Sequence, residues 1–576
     1  MVTVDPVDAV GALVRAAMIA AFGSEHADTD PQVRRSDRAD VQADVAMQLA
    51  RRVKRAPRAI ADAIAAAIPP NDVIDRIEIA NPGFLNIWLR GDWLARAAST
   101  AAASDRLGVP LVEAPERIVV DYSHPNVAKE MHVGHLRSTV IGDALARVLD
   151  WRGHAVIRQN HIGDWGTPFG MLIEHLVDLG EAQAEAELGI GELAAFYKAA
   201  RTKFDADASF AERSRKRVVA LQAGDAQTLK QWHVLVDLSM RYFEAVYAKL
   251  DVTLRHGDIA GESFYNDRLA PLANELETSG SARPSDGALC LFPAGFVNRE
   301  GAPLALIVRK RDGGFGYAAT DLAAIRYRVS ELRATRILYV VGAPQAQHLA
   351  MVRTAASELG WITPSYRAEH VAFGSVLGTD KQMFKSRAGD TVRLVDLIDE
   401  AIDRARAVAR ASNKQIDEAL LDDIARVVGV GAIKYADLSS DRVKDYVFDL
   451  DRMVSFDGNT AGYCQYAYAR ARSVIRKAET SCDGPIVIAE PAERALVLEV
   501  LGLGAVVRDV ERTLEPHRLV NYCYRLASGF TSFYDACPIL KAEPAARASR
   551  LALTELAART LSRALDLLGI AVPDRM

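Results

Sequence analysis

Apolar residues recur along the chain with two periods, and the places where the period changes divide it. Between Val41 and Ile68, Val45, Leu49, Val53 and Ile60 fall near helical spacing, which predicts a helix that Pro57 kinks or breaks and Pro69-Pro70 ends. Asp75–Ala80 and Gly83–Leu89 read as two short strands joined at Asn81-Pro82. Ile118-Val-Val-Asp-Tyr122 reads as a buried parallel strand. A helix from about 134 to 151 follows, with Leu136, Val140, Ala144, Val148 and Trp151 on one stripe, and Gly153–Asn160 reads as the next strand. Strand, helix and strand in that order imply a doubly wound sheet. Residues 180–250 interrupt the pattern with polar, helical sequence, read as an insertion. Strand signals return at Ala288–Phe292, Leu304–Val308 and Ile337–Val341, the last preceded by a helix over Thr320–Leu332. From about 391 onward nearly everything is helix-like, chiefly 462–479, 492–513, 516–537 and 543–568.

A chain of 576 residues is too long for one core, since single cores stop growing at about 250–300 residues. The pattern gives an α/β multidomain protein: a small α+β domain over 1–112, an α/β domain over 113–390 with its insertion at about 180–300, a helical connecting region over 391–452 and an all-α domain over 453–576. The net charge of −5 excludes a chain-wide basic nucleic-acid binder but leaves local patches at Arg51–Arg55, Arg213–Arg217 and Arg470–Lys477. Five scattered cysteines without Cys-x-x-Cys spacing argue against a disulfide framework or a structural zinc. With no targeting segment and no apolar stretch of membrane-spanning length, a soluble, cytoplasmic protein is expected.

The chemistry concentrates in two segments. His132-Val-Gly-His135 stands where a strand turns into a helix, a setting that presents imidazoles to a phosphate at a helix N-terminus. Attack on an α-phosphate spreads charge over its oxygens, so such a site needs positioning and positive donors more than a general base. Read alone, the same histidines also suit a capped turn. Lys381-Gln-Met-Phe-Lys-Ser-Arg387 lies in the Gly-rich stretch 374–390, and its cations suit the β- and γ-phosphates of ATP; read alone, it is also an exposed basic loop. Near the C-terminus, Tyr463, Tyr466 and Tyr468 interleave with Arg470, Arg472, Arg476 and Lys477. Aromatics beside basic residues suit unstacked RNA bases and phosphates, though at least one tyrosine is expected to pack between helices.

Several segments together resemble the arginyl-tRNA synthetases of class I. They are Asn126–Thr139, Asn160–Thr167, Gly261-Glu-Ser-Phe264, Tyr317–Leu322, Phe384-Lys-Ser-Arg387 and Glu515–Leu519, and the resemblance runs from about residue 40 to Met576. It implies a class I Rossmann-like nucleotide-binding catalytic domain with a helical insertion, a small added N-terminal domain that contacts tRNA, and an all-α anticodon-binding domain. It further implies ATP with Mg2+, L-arginine and tRNA(Arg) as partners, no metal site in the protein itself, no membrane, and a monomer. On this resemblance His132, His135, Lys129 and Lys385 are catalytic. His132, Gly134, His135, Lys385 and His348 bind ATP. Asp121, Asn126, Glu262, Tyr317, Asp321 and Gln345 bind arginine, and Tyr463, Tyr466, Arg470 and Arg472 bind tRNA. The carboxylates answer a planar, permanently charged guanidinium with a fork of five donors. One departure stands out. Gln382 replaces the first lysine of the class signature Lys-Met-Ser-Lys-Ser, and Lys129, just before the His-x-Gly-His element, is expected to compensate. Two other readings share parts of this pattern: a class I synthetase for another amino acid, and an RNA-binding relative without catalysis.

Overall fold

The computed structural model describes residues 4–180, 193–382, 392–412 and 415–576. The chain forms two compact units. One gathers Val112–Ala405 and Ala436–Met453; the other gathers Met1–Leu111, Arg406–Tyr435 and Val454–Met576.

The first unit is built on a four-stranded, all-parallel sheet. Its spatial order is Arg367–His370, Arg336–Tyr339, Arg117–Asp121, Ala155–Gln159. The chain runs from Arg117–Asp121 through the helix Val133–Arg152 to the strand on one side. Only after the insertion does it return to the strand on the other side. That reversal makes a topological switch point at the carboxyl ends of the two central strands, where doubly wound sheets bind ligands. The β-branched run Ile118-Val-Val120 is fully buried, as both faces of a parallel sheet require.

The insertion comprises the helices Leu193–Ala206, Ala208–Gln222 and Ala226–Lys249, the latter two N-capped by Asp207 and Asp225. Phe196 stacks on His175 of the helix Pro168–Leu179 at 4.8 Å, and Glu174 takes Arg213 and Arg217 at 3.2 and 2.8 Å. A three-stranded antiparallel sheet follows, Arg283–Ser285, Ala288–Leu291 and Leu306–Arg309. It packs with the helices Asn266–Thr278 and Tyr317–Ser330 around Leu269, Leu272, Leu289, Val308, Leu322 and Ile325.

In the second unit, Val41–Ala43 is a strand rather than the start of the expected helix, because it pairs with Leu85–Ile87 of the strand Phe84–Leu89. Helical spacing resumes only at Val45–Val53, and Lys54 ends that helix in the left-handed region. Pro57 opens a separate helix, Pro57–Ala67, at the first position, where its missing N–H costs nothing. The expected helix over 492–513 is likewise two, Pro491–Leu501 and Leu503–Thr513, interrupted at Gly502. Long-range arginines join the N-terminal elements to these helices. Arg494 binds Asp40 and the Leu89 carbonyl at 2.5 and 2.6 Å, and Arg508 binds Asp5 and Asp8 at 2.9 and 2.7 Å.

Candidate active site

The segment after strand Arg117–Asp121 is tightly wound, with Ser123, His124 and Ala128 all at positive φ. It delivers His132 to the N-cap of the helix Val133–Arg152. There the His132 Nδ1 accepts from the Gly134 N–H at 3.0 Å, and the His135 Nδ1 accepts from the His132 N–H at 3.0 Å. The rings lie 4.0 Å apart. Each Nδ1 receives a backbone proton, so both imidazoles are neutral Nε2–H tautomers, assigned from the hydrogen bonds. Burial holds both in that form. The pKa of His132 is lowered by burial and then by Lys129, and that of His135 is pushed down to about 3 by burial, His132, His124 and Lys129. The capped-turn reading therefore holds and is compatible with a binding role: capping consumes Nδ1 and leaves Nε2–H as the outward donor. Gly134 makes room for the turn itself, since a Cβ there would stand 2.8 Å from the His132 Cε1.

The residues just after the His pair brace this turn. Ser138 accepts from the Ser123 N–H at 2.9 Å and donates to the Val340 carbonyl at 2.6 Å, joining the helix to both central strands. Arg137, 1% exposed, reaches the Lys444 carbonyl at 3.0 Å and Asp437 at 3.4 Å. Val376–Leu377 pairs in parallel with Tyr446–Val447 and leads into a turn in which the Gly378 N–H donates to the Gln382 carbonyl at 2.8 Å. Lys385 lies outside the described residues. The Val133 N–H donates to the Val392 carbonyl and the Leu394 N–H to the Met131 carbonyl, so Val392 and Leu394 are fastened to the His132 turn. Lys129 is exposed, and its ammonium lies 4.7 Å over the Tyr197 ring.

A second cluster is acidic. Asp164 is buried and accepts from the Ser263 N–H and Oγ at 2.8 and 2.6 Å, which fixes the 3-10 turn Glu262–Tyr265 beneath it. The Glu262 N–H donates to the Ile162 carbonyl at 3.0 Å. Burial, with Asp164 and Asp321 nearby, raises the Glu262 pKa to about 7. Asp321 is an interior residue of the helix Tyr317–Ser330, whose N-cap is Gly316. Its Oδ2 meets the His348 Nε2 at 2.6 Å, and this bond raises the pKa of His348. The structure thus sets His348 on a carboxylate of this cluster. Tyr317 opens the same helix, one turn before Asp321, and is 75% exposed. Asn126 is exposed, its backbone bridged to Gly163, where a Cβ would stand 2.3 Å from the Asn126 Oδ1. Gln345 is exposed in the turn Ala343–Gln345 beyond the central strand Arg336–Tyr339.

Asp121 differs from the other acidic candidates. It is 4% exposed; its Oδ1 meets the His124 Nε2 at 2.9 Å and its Oδ2 the Arg328 Nη2 at 2.7 Å. Burial opposes its charge, but Arg328 and then His124 hold its carboxyl well below the usual range. Each oxygen thus has a cationic or imidazole partner within the chain. Sequence reading missed Arg328. The available signal was a basic residue three positions after Ile325, on the apolar face of the helix.

At the C-terminal helices, Tyr466 is 44% exposed and Arg470 lies over its ring at 4.8 Å and over Tyr534 at 5.1 Å. Tyr463 packs on Tyr524, and Arg472 is paired with Glu555 at 2.9 Å. Tyr534 belongs to this surface group and was not singled out, because it lies on a different helix, His517–Ala536.

Comparison with known proteins converges on one family. Residues 99–450 match the model of class I (R) tRNA synthetase catalytic domains, 8–89 the arginyl tRNA synthetase N-terminal domain, and 464–576 the DALR anticodon binding domain. The chain is 54% identical to the arginine–tRNA ligase of Thermobifida fusca over 99% of its length and all of the relative's. It is 50% identical to that of Frankia casuarinae over 96% of each chain. Among solved structures it resembles the arginyl-tRNA synthetases of Plasmodium falciparum (TM-score 0.85, 26% identity, all of both chains) and Thermus thermophilus (TM-score 0.83, 25% identity, 99% of this chain and all of the other). The activity is that of an arginine–tRNA ligase, joining L-arginine to tRNA(Arg) by way of arginyl-adenylate. The chain belongs to the class I arginyl-tRNA synthetases.

Proposed function

We propose that the switch-point crevice works as two adjoining half-sites, one for ATP phosphates and one for the arginine guanidinium. The arginine carboxylate attacks the α-phosphorus, pyrophosphate leaves, and the mixed anhydride arginyl-adenylate remains. His132 and His135, as neutral Nε2–H donors, bond the oxygens on which charge develops. Lys129 and Lys385 neutralise the departing phosphates, with magnesium carried by the nucleotide. Among the described residues no group of three or more His, Cys, Asp or Glu side chains is arranged to hold a metal. The 2′-hydroxyl of the terminal adenosine then attacks the anhydride carbonyl and AMP leaves. No covalent enzyme intermediate is required, because the anhydride is already activated.

Glu262 and Asp321 take the guanidinium, Tyr317 packs on the substrate, and Asn126 and Gln345 hold its amino-acid end. We read His348 as the partner that fixes Asp321 rather than as a nucleotide contact, and Asp121 as a positioning residue that anchors His124 and Arg328. One observation carries this reading: Glu262 is largely buried beside Asp164 and Asp321, so burial first and like charge second raise its pKa, and a bound cation would relieve both. Glu262→Gln tests it. The arginine KM should rise about tenfold to hundredfold, the worth of a charged hydrogen bond, while the ATP KM stays within about twofold. Equal losses for both substrates overturn the assignment.

Tyr466 and Arg470, joined by Tyr534, are read as the stacking surface for anticodon-loop bases, Tyr463 and Arg472 as their support, and the N-terminal domain as a further tRNA contact. No helix among the described residues is long and apolar enough to cross a membrane. A cytoplasmic monomer is proposed. Activation is expected to need bound tRNA, and full-rate pyrophosphate exchange without tRNA would refute that.

A further inference from the structure

The class signature has a glutamine at Gln382, and the cation proposed to replace the missing lysine comes from a residue that is itself exposed. An exposed lysine has a flexible four-carbon stem and many rotamers, so it is a poor substitute for a positioned charge unless something restricts it. The structure supplies a restraint. The Lys129 ammonium sits 4.7 Å from the centroid of the Tyr197 ring. It is also close enough to His132 and His135 to act on both electrostatically. Tyr197 is half-buried on the inserted helix Leu193–Ala206, and the next residue back, Phe196, is fully buried against His175 of the helix Pro168–Leu179. The ring is therefore mounted on a packed element and cannot follow the lysine freely. On the other side, the Lys129 backbone N–H donates to the Asn126 carbonyl at 3.3 Å, and Ala128 is held at φ 59°. Main chain and ring together confine the ammonium beside the His132–His135 turn.

We propose that Tyr197 is a positioning residue for adenylate formation: its ring face holds the Lys129 ammonium beside the imidazoles, so that the inserted helix completes the phosphate half-site. This rests on the reading of Lys129 as a phosphate-neutralising cation. The interaction depends on the ring quadrupole and not on the phenol hydroxyl. Replacement by phenylalanine should thus be tolerated and replacement by leucine should not.

The experiment compares Tyr197→Phe, Tyr197→Leu, Lys129→Gln and the double variant Tyr197→Leu/Lys129→Gln in the full-length enzyme, by ATP–pyrophosphate exchange with tRNA(Arg) present. Tyr197→Leu should lower kcat/KM for ATP about threefold to tenfold, the range a single cation–π contact commands, and leave the arginine KM unchanged. Tyr197→Phe should stay within about twofold of wild type. In the Lys129→Gln background, Tyr197→Leu should have no further effect. If Lys129→Gln itself retains full activity, the reading of Lys129 fails. If Lys129→Gln is impaired but Tyr197→Leu is not, or if Tyr197→Leu adds its full loss on top of Lys129→Gln, the positioning role of Tyr197 is overturned and that of Lys129 stands. A parallel rise in the arginine KM would assign Tyr197 a merely structural role.

Discussion

The two halves of the crevice solve opposite electrostatic problems. At the His132–His135 turn the fold has satisfied the ring acceptors in advance. Each Nδ1 is bonded to a backbone N–H, both rings are neutral, and burial keeps them so through the physiological range. At the carboxylate cluster burial and then the like charge of Asp164 and Asp321 raise the Glu262 pKa to about 7. The first arrangement suits a polyanion that brings its own metal and needs fixed dipoles. The second suits a cation that cannot lose its charge and can be relied on to relieve the repulsion. Preorganisation here means neutral, already bonded imidazoles at one end and crowded carboxylates at the other.

The largest effect that could break this contrast is at His135. His135→Ala should lower the adenylation rate on the order of a hundredfold, the cost of one preorganised donor, while tRNA affinity stays near wild type in a filter-binding assay. Collapse of tRNA binding would reduce the histidine to a cap. Next comes pH. Arginine stays charged, so any pH dependence of its binding belongs to the protein. As pH falls from 8 to 6 through the Glu262 pKa of about 7, the carboxylate protonates and arginine affinity should weaken by up to about tenfold. Calorimetric titration should show this slope flattened in Glu262→Gln, whereas ATP affinity owes no comparable slope to His135, whose pKa is pushed down to about 3. An unchanged slope in the variant would move the titrating group elsewhere. The smallest effect concerns stability. A carboxyl whose folded pKa is raised above its unfolded value stabilises the fold below about pH 4.5, and that contribution is lost as pH rises through about 7. The Tm of ligand-free wild type should therefore fall from pH 5 to 8 by about a degree more than that of Glu262→Gln. Saturating arginine should abolish the difference.

Local pattern made much of this legible. The buried run Ile118–Val120, the turn and the helix after it were readable because a parallel strand and a helix N-terminus each carry a short-range signature. Glu262 and Asp321 were readable by resemblance. What stayed hidden was partnership. Arg328 lies 207 residues from Asp121 and His348 lies 27 from Asp321, and nothing local tells a carboxylate already paired from one left open. The strand at Val41–Ala43 was hidden for the same reason: three residues consistent with helical spacing are overruled by a pairing more than forty residues away. Tyr197 gave no local signal, since an aromatic in a polar helix looks like any packing residue until its neighbour is seen.

The bonds from Asp164 to Ser263 span 99 residues of sequence, and the helices from Leu193 to Lys249 lie within that loop. The proposed arginine half-site is thus closed as a ring, by two ends that meet only after a long excursion. Ring-closure entropy grows with the logarithm of loop length, so even doubling such an excursion costs about 0.6 kcal/mol. Insertions at the exposed helix junctions therefore add little closure entropy, as long as the packed helix faces keep their places. Register is less free, because on the helix Ala226–Lys249 Trp232 donates to the Asp164 carbonyl at 2.7 Å and Ser239 accepts from the Ala128 N–H at 2.9 Å. An excursion of this kind is cheap to lengthen and costly to twist.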